Sequence, residues 1–106
     1  MPFFSLIIPA YNNSEYLPEC FDSLVAQDYV DWEAIVVVDG SPDNSSMIAA
    51  SYAEKDDRFI VLDESENVGL HLARRKGVAV ARGEYALFLD AGLVKVATFS
   101  SVSAQW

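Results

Sequence analysis

Polar side chains follow each of four apolar runs in this 106-residue chain. Tyr11 and Asn12 come after the first run, while Asp39, Asp63 and Asp90 end the other three. Carboxylate and amide oxygens accept hydrogen bonds from ligands, and carboxylates also bind divalent cations. An aromatic ring adds a flat apolar surface on which another ring can stack. If the four runs lie side by side, these residue types predict a polar ligand site at their ends.

Two acidic residues near these ends also fit a structural role. Asp43 lies in DGSPD, which is a good turn sequence, and Asp63 ends the third run. Aspartate is favoured in turns and at helix N-termini because its carboxylate accepts hydrogen bonds from nearby backbone N–H groups. For Asp43 and Asp63 we expect such a turn or cap role.

Four of the seven basic residues lie close together in the chain, at Arg74, Arg75, Lys76 and Arg82. Two interpretations are open. These residues form a solvated helix face, or one arginine turns inward to offset the acidic groups or to bind a phosphate. His71 has no partner at the spacing of metal ligands, so we interpret it as a surface or edge residue.

The four apolar runs predict β-strands. Each is rich in Val, Ile, Leu and Phe, and its middle is apolar without alternation, as in parallel strands covered on both faces. The intervening stretches have the length that helical crossovers require. The runs span residues 3–9, 33–39, 58–63 and 84–90.

Three helices are predicted between these strands. The first begins near Ser14, which is a good N-cap, because Pro18 fits only in the first turn of a helix. The second begins near residues 43–45, and the third follows Asn67. In the third helix, Gly77 is expected to allow close approach to the sheet.

The resulting order β-α-β-α-β-α-β predicts an α/β fold. We expect a four-stranded, doubly wound parallel sheet, Rossmann-like and flanked by helices. In such open sheets, ligands bind beyond the carboxyl ends of the strands, where the strand order reverses. The polar residues that follow the four runs would then share one edge of the sheet.

Composition narrows the class of protein. A hydrophobic content of 52% predicts a packed globule, and a net charge of −9 argues against binding to nucleic acid or anionic membranes. Cys20 is the single cysteine, so an intrachain disulfide is impossible, and we expect a buried, inert thiol. We find no signal peptide and no apolar stretch long enough to span a bilayer, which predicts a soluble cytoplasmic protein. The glycine motifs of dinucleotide and phosphate-loop sites are absent.

Three segments of the chain resemble the N-terminal, nucleotide-sugar-binding half of family 2 glycosyltransferases, which have the GT-A fold. The resemblance covers roughly residues 3–91, in order and with the family's spacing. It implies transfer of a sugar from a nucleotide diphosphate donor, a UDP-sugar, usually with inversion and with Mg²⁺ or Mn²⁺ as cofactor. The segments are SLIIPAYNNSEYLPECFDSLVAQ, WEAIVVVDGSPDNS and ENVGLHLARRKGVAVARGEYALFLDA.

The resemblance implies a base-binding wall at the end of the first strand. Pro9, Ala10 and Tyr11 would form this wall, and Tyr11 could stack on the base. Asp39 would accept a hydrogen bond from a pyrimidine ring N–H, because a carboxylate is acceptor-only. The family commonly has two acids before Gly-Ser, and here Val38 replaces the first. Since Asp39 remains, we expect base recognition to survive.

The resemblance also places two residues near the rest of the donor. Arg74 matches the arginine of the family's ARN stretch and would lie near the donor. Asp90 matches the first acid of the Asp-x-Asp motif and would reach the ribose or the metal. Gly92 stands where the second, metal-binding acid is usual. Because a divalent cation that bridges phosphates takes carboxylate ligands, we expect weakened metal binding.

The resemblance ends shortly after Asp90. We therefore expect a nucleotide-sugar-binding domain at residues 1–91 and an atypical C-terminal tail at residues 92–106. The family's acceptor-binding region and its general base lie beyond the Asp-x-Asp motif, so we nominate no residue as base. We expect a truncated or altered gene product that transfers sugar weakly or not at all.

Two other functions are open on the residues alone. One is a non-catalytic α/β module that binds itself or a partner through its sheet edge, with FLDAGLVKVATF adding a strand to a neighbour. The other is a receiver-like phosphoacceptor domain, which the missing acidic pair at the end of the first strand argues against.

Overall fold

Strands and helices alternate along the chain in the predicted order. The computed structural model describes residues 4–12, 14–26 and 31–89, so the predicted boundary at residue 91 and the predicted tail lie outside the described residues. The strands are β1 (Phe4–Ala10), β2 (Trp32–Asp39), β3 (Phe59–Glu64) and β4 (Tyr85–Phe88). The helices are α1 (Leu17–Val25), α2 (Ser45–Lys55) and α3 (Leu70–Val80). In this part of the chain, no helix has the length and apolar character needed to cross a membrane.

The four strands form one parallel sheet in the order β3-β2-β1-β4. Strand β1 pairs with β2 from Phe4↔Trp32 to Ala10↔Val38, and with β4 from Phe4↔Tyr85 to Ile7↔Phe88. The chain therefore moves outward from β1 to β3 and then crosses back to the other side of β1. This reversal confirms the predicted doubly wound, Rossmann-like sheet, and it places a crevice at the carboxyl end of β1.

Alternate residues of each strand pack on opposite faces of the sheet. One face, with Leu6, Ile8 and Val36, packs against α1 and α2 through Phe21 and Ala49. The other face packs against α3, where the buried residues are Ile7, Ile35, Val37 and Ala73. Two cores thus hold the sheet rigidly from both sides.

Burial differs between the central and the edge strands. Every residue of β2 is buried, and only Pro9 of β1 is partly exposed. In β4, by contrast, Tyr85 is 44% exposed and Phe88 is 50% exposed. The expectation that all four strands are covered on both faces thus holds for β1 and β2, whereas the middle residues of β3 and β4 are partly exposed because the helices pack mainly over the centre of the sheet.

Ser14 does not have the N-cap role that was predicted for the start of α1. The helix begins at Leu17, after a 3₁₀ turn at Ser14–Tyr16, and Pro18 lies in its first turn as predicted. The backbone N–H of Ser14 instead donates to Oδ2 of Asp43 at 3.0 Å, which ties the 3₁₀ turn to the segment before α2.

Gly77 lies where α3 crosses the sheet. A Cβ atom at this position would lie 2.5 Å from Cγ2 of Ile7 and 3.4 Å from Cγ2 of Val37. The first of these separations is too short for carbon atoms, so the close approach predicted for Gly77 is confirmed, and it lets α3 rest directly on β1 and β2.

A buried carboxylate organises the amino end of the sheet, opposite the crevice. Glu33 is 1% exposed, and its Oε2 accepts hydrogen bonds from the Ser5 hydroxyl at 2.6 Å and the Arg82 backbone N–H at 2.7 Å. Its Oε1 accepts one from Nε of Arg82 at 3.0 Å. The N–H of Gly83 donates to the Ser5 hydroxyl oxygen at 2.7 Å. These contacts join β1, β2 and the turn that leads into β4.

These hydrogen bonds control the protonation of Glu33. Burial alone raises the pKa of its carboxyl, but the hydrogen bonds from Ser5 and Arg82 and the Arg82 charge outweigh burial and hold the pKa below the ordinary 4.5. The folded protein therefore binds fewer protons than the unfolded chain as the pH falls through this range. Acid consequently favours unfolding: the stability from Glu33 is complete above about pH 4.5 and is lost as the pH falls below this value through the lower pKa of the folded state.

We expect Glu33→Gln to flatten the acid side of the stability curve. The variant loses stability at neutral pH, by about 1 to 3 kcal/mol for a disrupted buried hydrogen-bonding group, and it has less to lose on acidification. Urea unfolding between about pH 3 and pH 7 measures this. Glu54→Gln removes the same charge from an exposed position of α2 and is the matched control. Equal acid slopes in Glu33→Gln and the wild type would contradict the assignment.

Candidate functional site

A cavity of about 330 Å³ opens at the carboxyl ends of β1 and β2, beside the start of α3. This volume lies at the lower end of the range found for small-molecule sites. Its position matches the crevice predicted from the strand order. The described residues that line it are Pro9, Tyr11, Asp39, Asn67, Gly69, Leu70, Arg74 and Leu89.

Four of the six residues predicted for the site line this cavity: Pro9, Tyr11, Asp39 and Arg74. Ala10 is fully buried in the core against α1 and α2 and is not among the lining residues. Asp90 lies outside the described residues. The structure thus brings together residues that are up to 65 positions apart in the chain, from Pro9 to Arg74.

Asp39 ends β2 and is 3% exposed. Its Oδ1 accepts a hydrogen bond from the backbone N–H of Val68 at 2.9 Å, and its Oδ2 accepts one from Gly69 at 3.0 Å. Each carboxylate oxygen has two lone pairs, so both oxygens keep capacity to accept a further N–H. Asp39 is therefore a fixed acceptor at the wall of the cavity.

Gly40 allows the loop before α3 to approach the end of β2 closely. It has φ of +62°, and a Cβ atom there would collide with the backbone nitrogen of Asn67. Its own N–H donates to the carbonyl oxygen of Glu64 at 3.0 Å. Glycine is required at this turn for its left-handed backbone and for the absence of a side chain. Together, Asp39 and Gly40 fasten the loop before α3 to the end of β2.

Tyr11 stands at the mouth of the cavity and is 49% exposed. The chain turns sharply after it, because Asn12 has φ of +55°, a conformation that Asn tolerates better than most residues. The Asn12 N–H donates to the Ser41 hydroxyl oxygen at 2.9 Å, which joins the ends of β1 and β2. An exposed aromatic ring beside a fixed hydrogen-bond acceptor provides a stacking surface for a planar ligand.

Asp43 has the turn role expected from DGSPD. Its carboxylate accepts hydrogen bonds from the hydroxyls of Ser41 and Ser45 and from the backbone N–H groups of Ser14 and Ser45. Burial works to raise the pKa of Asp43, but these four hydrogen bonds outweigh it and hold the pKa far below its usual range. Asp43 thus braces the start of α2 and does not line the cavity.

Arg74 is the basic residue that faces the cavity. It lies in the second turn of α3, half-buried, and its guanidinium carbon lies 5.4 Å from the ring centroid of Phe88. Its buried Nε has no hydrogen-bond partner among the described residues. A buried N–H without a partner is costly, so the Arg74 side chain would be stabilised by an acceptor oxygen.

The other bases of the cluster lie elsewhere. Lys76 pairs with Glu64, with Nζ 3.2 Å from Oε1, and Arg82 pairs with Glu33 at the opposite end of the sheet. Arg75 and His71 are exposed on α3. Of the two interpretations of this cluster, the inward-turned arginine therefore describes Arg74, and the solvated face describes Arg75.

The loop before α3 supplies lining residues that were not predicted. Asn67 Oδ1 accepts a hydrogen bond from the Gly69 N–H at 3.0 Å, and Gly69 has φ of +94°. Leu70, the first residue of α3, is half exposed at the cavity. The signal for this loop was the pair Asn67 and Gly69, since both residue types favour turns.

The described residues do not form a metal site by themselves. They contain no group of three or more His, Cys, Asp or Glu side chains placed to hold a metal ion. The one carboxylate that lines the cavity within this part of the chain is Asp39, and both of its oxygens already accept backbone N–H groups. One carboxylate is not a metal site by itself, so the predicted metal role rests on Asp90.

Comparison with known proteins gives a consistent family. The sequence pattern of the family described as Glycosyl transferase family 2 matches residues 5–94. The uncharacterized glycosyltransferase EpsJ of Bacillus subtilis is 44% identical over 90 residues, which are 85% of this chain and 26% of EpsJ.

Two solved structures share the fold. S. aureus TarS 1-349 in complex with UDP superposes with a TM-score of 0.84 at 30% identity, over 97% of this chain and 31% of TarS. The mannosyltransferase PcManGT from Pyrobaculum calidifontis, in complex with GDP-Man and Mn²⁺, gives a TM-score of 0.78 at 27% identity, over 86% of this chain and 28% of that enzyme.

The chain thus spans between a quarter and a third of the length of these relatives. The part that it spans is the N-terminal half of the GT-A fold. A family match over most of the chain and a shared fold at 30% identity agree with the sheet order and with the crevice described above. The chain belongs to glycosyl transferase family 2.

Proposed function

We propose that the chain is the donor-binding region of a glycosyltransferase that transfers a sugar, with inversion, from a nucleotide diphosphate donor to an acceptor hydroxyl. The observation that carries the proposal is the cavity in which Tyr11, Asp39 and Arg74 meet. These residues offer an aromatic surface, an N–H acceptor and a cation, which suit a base and a diphosphate. The complexes of TarS with UDP and of PcManGT with GDP-Man support a nucleotide-sugar donor.

In this proposal, the base lies between Pro9 and Tyr11 and donates its ring N–H to Asp39. Uracil and guanine both carry such a ring N–H, and a UDP-sugar is the donor that we propose. Because Asp39 is fixed by two backbone N–H groups, it needs no rearrangement when the base arrives. Ala10 contributes from the core, by holding the wall between β1 and β2 in place.

Arg74 is proposed to bind the diphosphate. A guanidinium matches phosphate oxygens in pairs, and the unpartnered Nε of Arg74 would gain an acceptor when the donor binds. Such a cation matters in this chain because the net charge of −9 repels an anionic ligand.

Mg²⁺ or Mn²⁺ is proposed as cofactor, with Asp90 as its protein ligand. Mn²⁺ in PcManGT supports this proposal for the family. When bound, the cation would neutralise the charge of the leaving nucleoside diphosphate. Gly92 offers no ligand oxygen from a side chain, so we expect a weaker metal site than an Asp-x-Asp motif provides. The general base and the acceptor site stay unassigned in this chain, and a cytoplasmic location stays a prediction.

The first prediction concerns Asp39. Calorimetric titration with UDP and Mn²⁺ should give binding, and Asp39→Ala should weaken it by about tenfold or more because the N–H acceptor is lost. Asp63→Ala is the matched control, since Asp63 is an exposed acid at the end of the neighbouring strand. In the wild type, UDP methylated at N3 of uracil should bind about as weakly as UDP binds to Asp39→Ala.

Lack of UDP binding at millimolar concentration, or equal binding of the methylated nucleotide, would contradict the role of Asp39. The alternative function would then gain weight, namely a non-catalytic module that assembles through its sheet edge. The exposed edge strand β4 favours that alternative, with Tyr85 and Phe88 open to solvent. A molecular mass that rises with concentration in light scattering would support it.

The second prediction concerns Arg74. Arg74→Ala should weaken UDP binding by about ten- to a hundredfold, as expected for lost hydrogen bonds to a charged group, and should leave the affinity for uridine nearly unchanged. Arg75→Ala, which removes an exposed cation from the next position, should have a small effect on both ligands. Equal losses for UDP and uridine in Arg74→Ala would place Arg74 away from the phosphates.

The third prediction concerns the metal. Gly92→Asp should increase the Mn²⁺-dependent part of UDP affinity, because it supplies the carboxylate that the Asp-x-Asp motif normally provides. Titrations with Mn²⁺ and with a chelator separate this part from metal-independent binding. Gly92→Asn is the control for size without charge. Tighter UDP binding by Gly92→Asp in the presence of chelator would argue against metal ligation at this position.

A further inference from the structure

Strand β4 is less completely buried than the two central strands. It is a four-residue edge strand, and its two end residues, Tyr85 and Phe88, are exposed. A slip by two residues along β1 would keep the same side chains on the same faces, so hydrophobic patterning alone cannot exclude it. Contacts made outside the strand must therefore determine the register of β4 on β1.

The turn that leads into β4 is fixed by polar contacts to buried residues. The N–H of Arg82 donates to Oε2 of Glu33, and the N–H of Gly83 donates to the hydroxyl oxygen of Ser5. Ser5 in turn donates to the same Oε2 atom of Glu33. Ser5 pairs with Glu33 on one side and with Ala86 on the other, so the contacts lie at a defined level of the sheet.

The place that Gly83 occupies beside β1 can be filled only by a glycine, which fixes one residue of the chain at that place. A Cβ atom at Gly83 would lie 2.6 Å from the Ser5 hydroxyl oxygen, 2.8 Å from the Ser5 nitrogen and 2.9 Å from the Phe4 carbonyl carbon. A residue with a side chain cannot come so close to β1. A slipped register would bring a neighbouring residue to this place and would also deprive the buried Glu33 of its donors from Arg82, which is costly.

The carboxyl end of β4 reaches the cavity. The N–H of Leu89 donates to the carbonyl oxygen of Ile7 at 3.0 Å, and Leu89 lines the cavity beside Pro9. Phe88 lies under the guanidinium of Arg74. The register of β4 therefore determines both where the cavity wall stands and what supports Arg74.

We propose that Glu33, together with Ser5, is a positioning residue for the nucleotide site at the opposite end of the sheet. The pair anchors Arg82 and Gly83, sets the register of β4 on β1, and thereby places Leu89 and the ring beneath Arg74. The consequence for nucleotide affinity rests on the proposed function, whereas the control of β4 register does not.

Hydrogen exchange of the full chain, followed amide by amide, tests the register control without any ligand. In Glu33→Ala, protection of the Leu89 amide should fall by about tenfold or more. Protection of the Ala34 amide, which donates to the Arg58 carbonyl oxygen between β2 and β3, should change by less than about twofold. Glu33→Gln retains an acceptor for Ser5 and Arg82 and should restore most of the Leu89 protection.

Two further variants make the result decisive. Ser5→Ala removes the acceptor of the Gly83 N–H with a small change in volume, and it should reproduce the selective loss if Glu33→Ala does not fold. Asp56→Ala removes another half-buried acid that is paired with an arginine, Arg58, but lies away from β4. It should leave Leu89 protected. Equal loss at Leu89 and Ala34 in Glu33→Ala and Ser5→Ala, or no loss, would overturn the proposal.

UDP titration of the same variants tests the link to the site. If the wild type binds UDP, Glu33→Ala should bind about tenfold more weakly, a common size for coupling between separated sites, and Glu33→Gln should recover most of the affinity. Unchanged affinity together with selective loss of Leu89 protection would overturn the link to the nucleotide site. If the wild type does not bind UDP, the proposed function fails, while the exchange pattern still decides the control of β4.

Discussion

Buried carboxylates must find N–H or O–H donors, and β2 carries one near each of its ends. Glu33, near the start of the strand, takes donors from Ser5 and Arg82, and Asp39, at its end, takes the backbone N–H groups of Val68 and Gly69. In both cases the backbone donors belong to a connecting segment, whose position is not determined by core packing alone. The central strand thereby places the loop before α3 and the turn before β4. An apolar residue at either position would have filled the same space without ordering anything beyond it.

The sheet and helix α3 supply different groups to the cavity. The rigid sheet presents Pro9 and Asp39, whereas α3 presents Arg74 from a helix whose start is tied to Asp39. The hydrogen bonds from Val68 and Gly69 to Asp39 thus join the start of the helix that carries the cation to the residue that supplies the acceptor.

Much of this fold could be predicted from the sequence, and the reasons are physical. The runs at β1 and β2 are continuously apolar because both of their faces are covered, and Asp39 and Tyr11 stand out because they end such runs. Periodicity does not reveal strand order, so the exposure of β4 was not predictable. Glu33 was missed because one acid at the start of an apolar run resembles an ordinary strand end. The lining residues Asn67 and Leu70 belong to a loop whose course depends on a distant carboxylate.

The bond between Gly83 and Ser5 joins residues that are 78 positions apart. Of the four described strands, β1 is synthesised first and β4 last, yet β4 completes one of the two edges of β1. Pairing of β1 with β2 and of β2 with β3 closes shorter loops and can come earlier, so the addition of β4 is the step with the greatest loop-closure entropy. Until that step, the open edge of β1 can recruit a strand from another molecule. The buried glutamate that accepts hydrogen bonds from the turn before β4 therefore also helps to close this edge of β1.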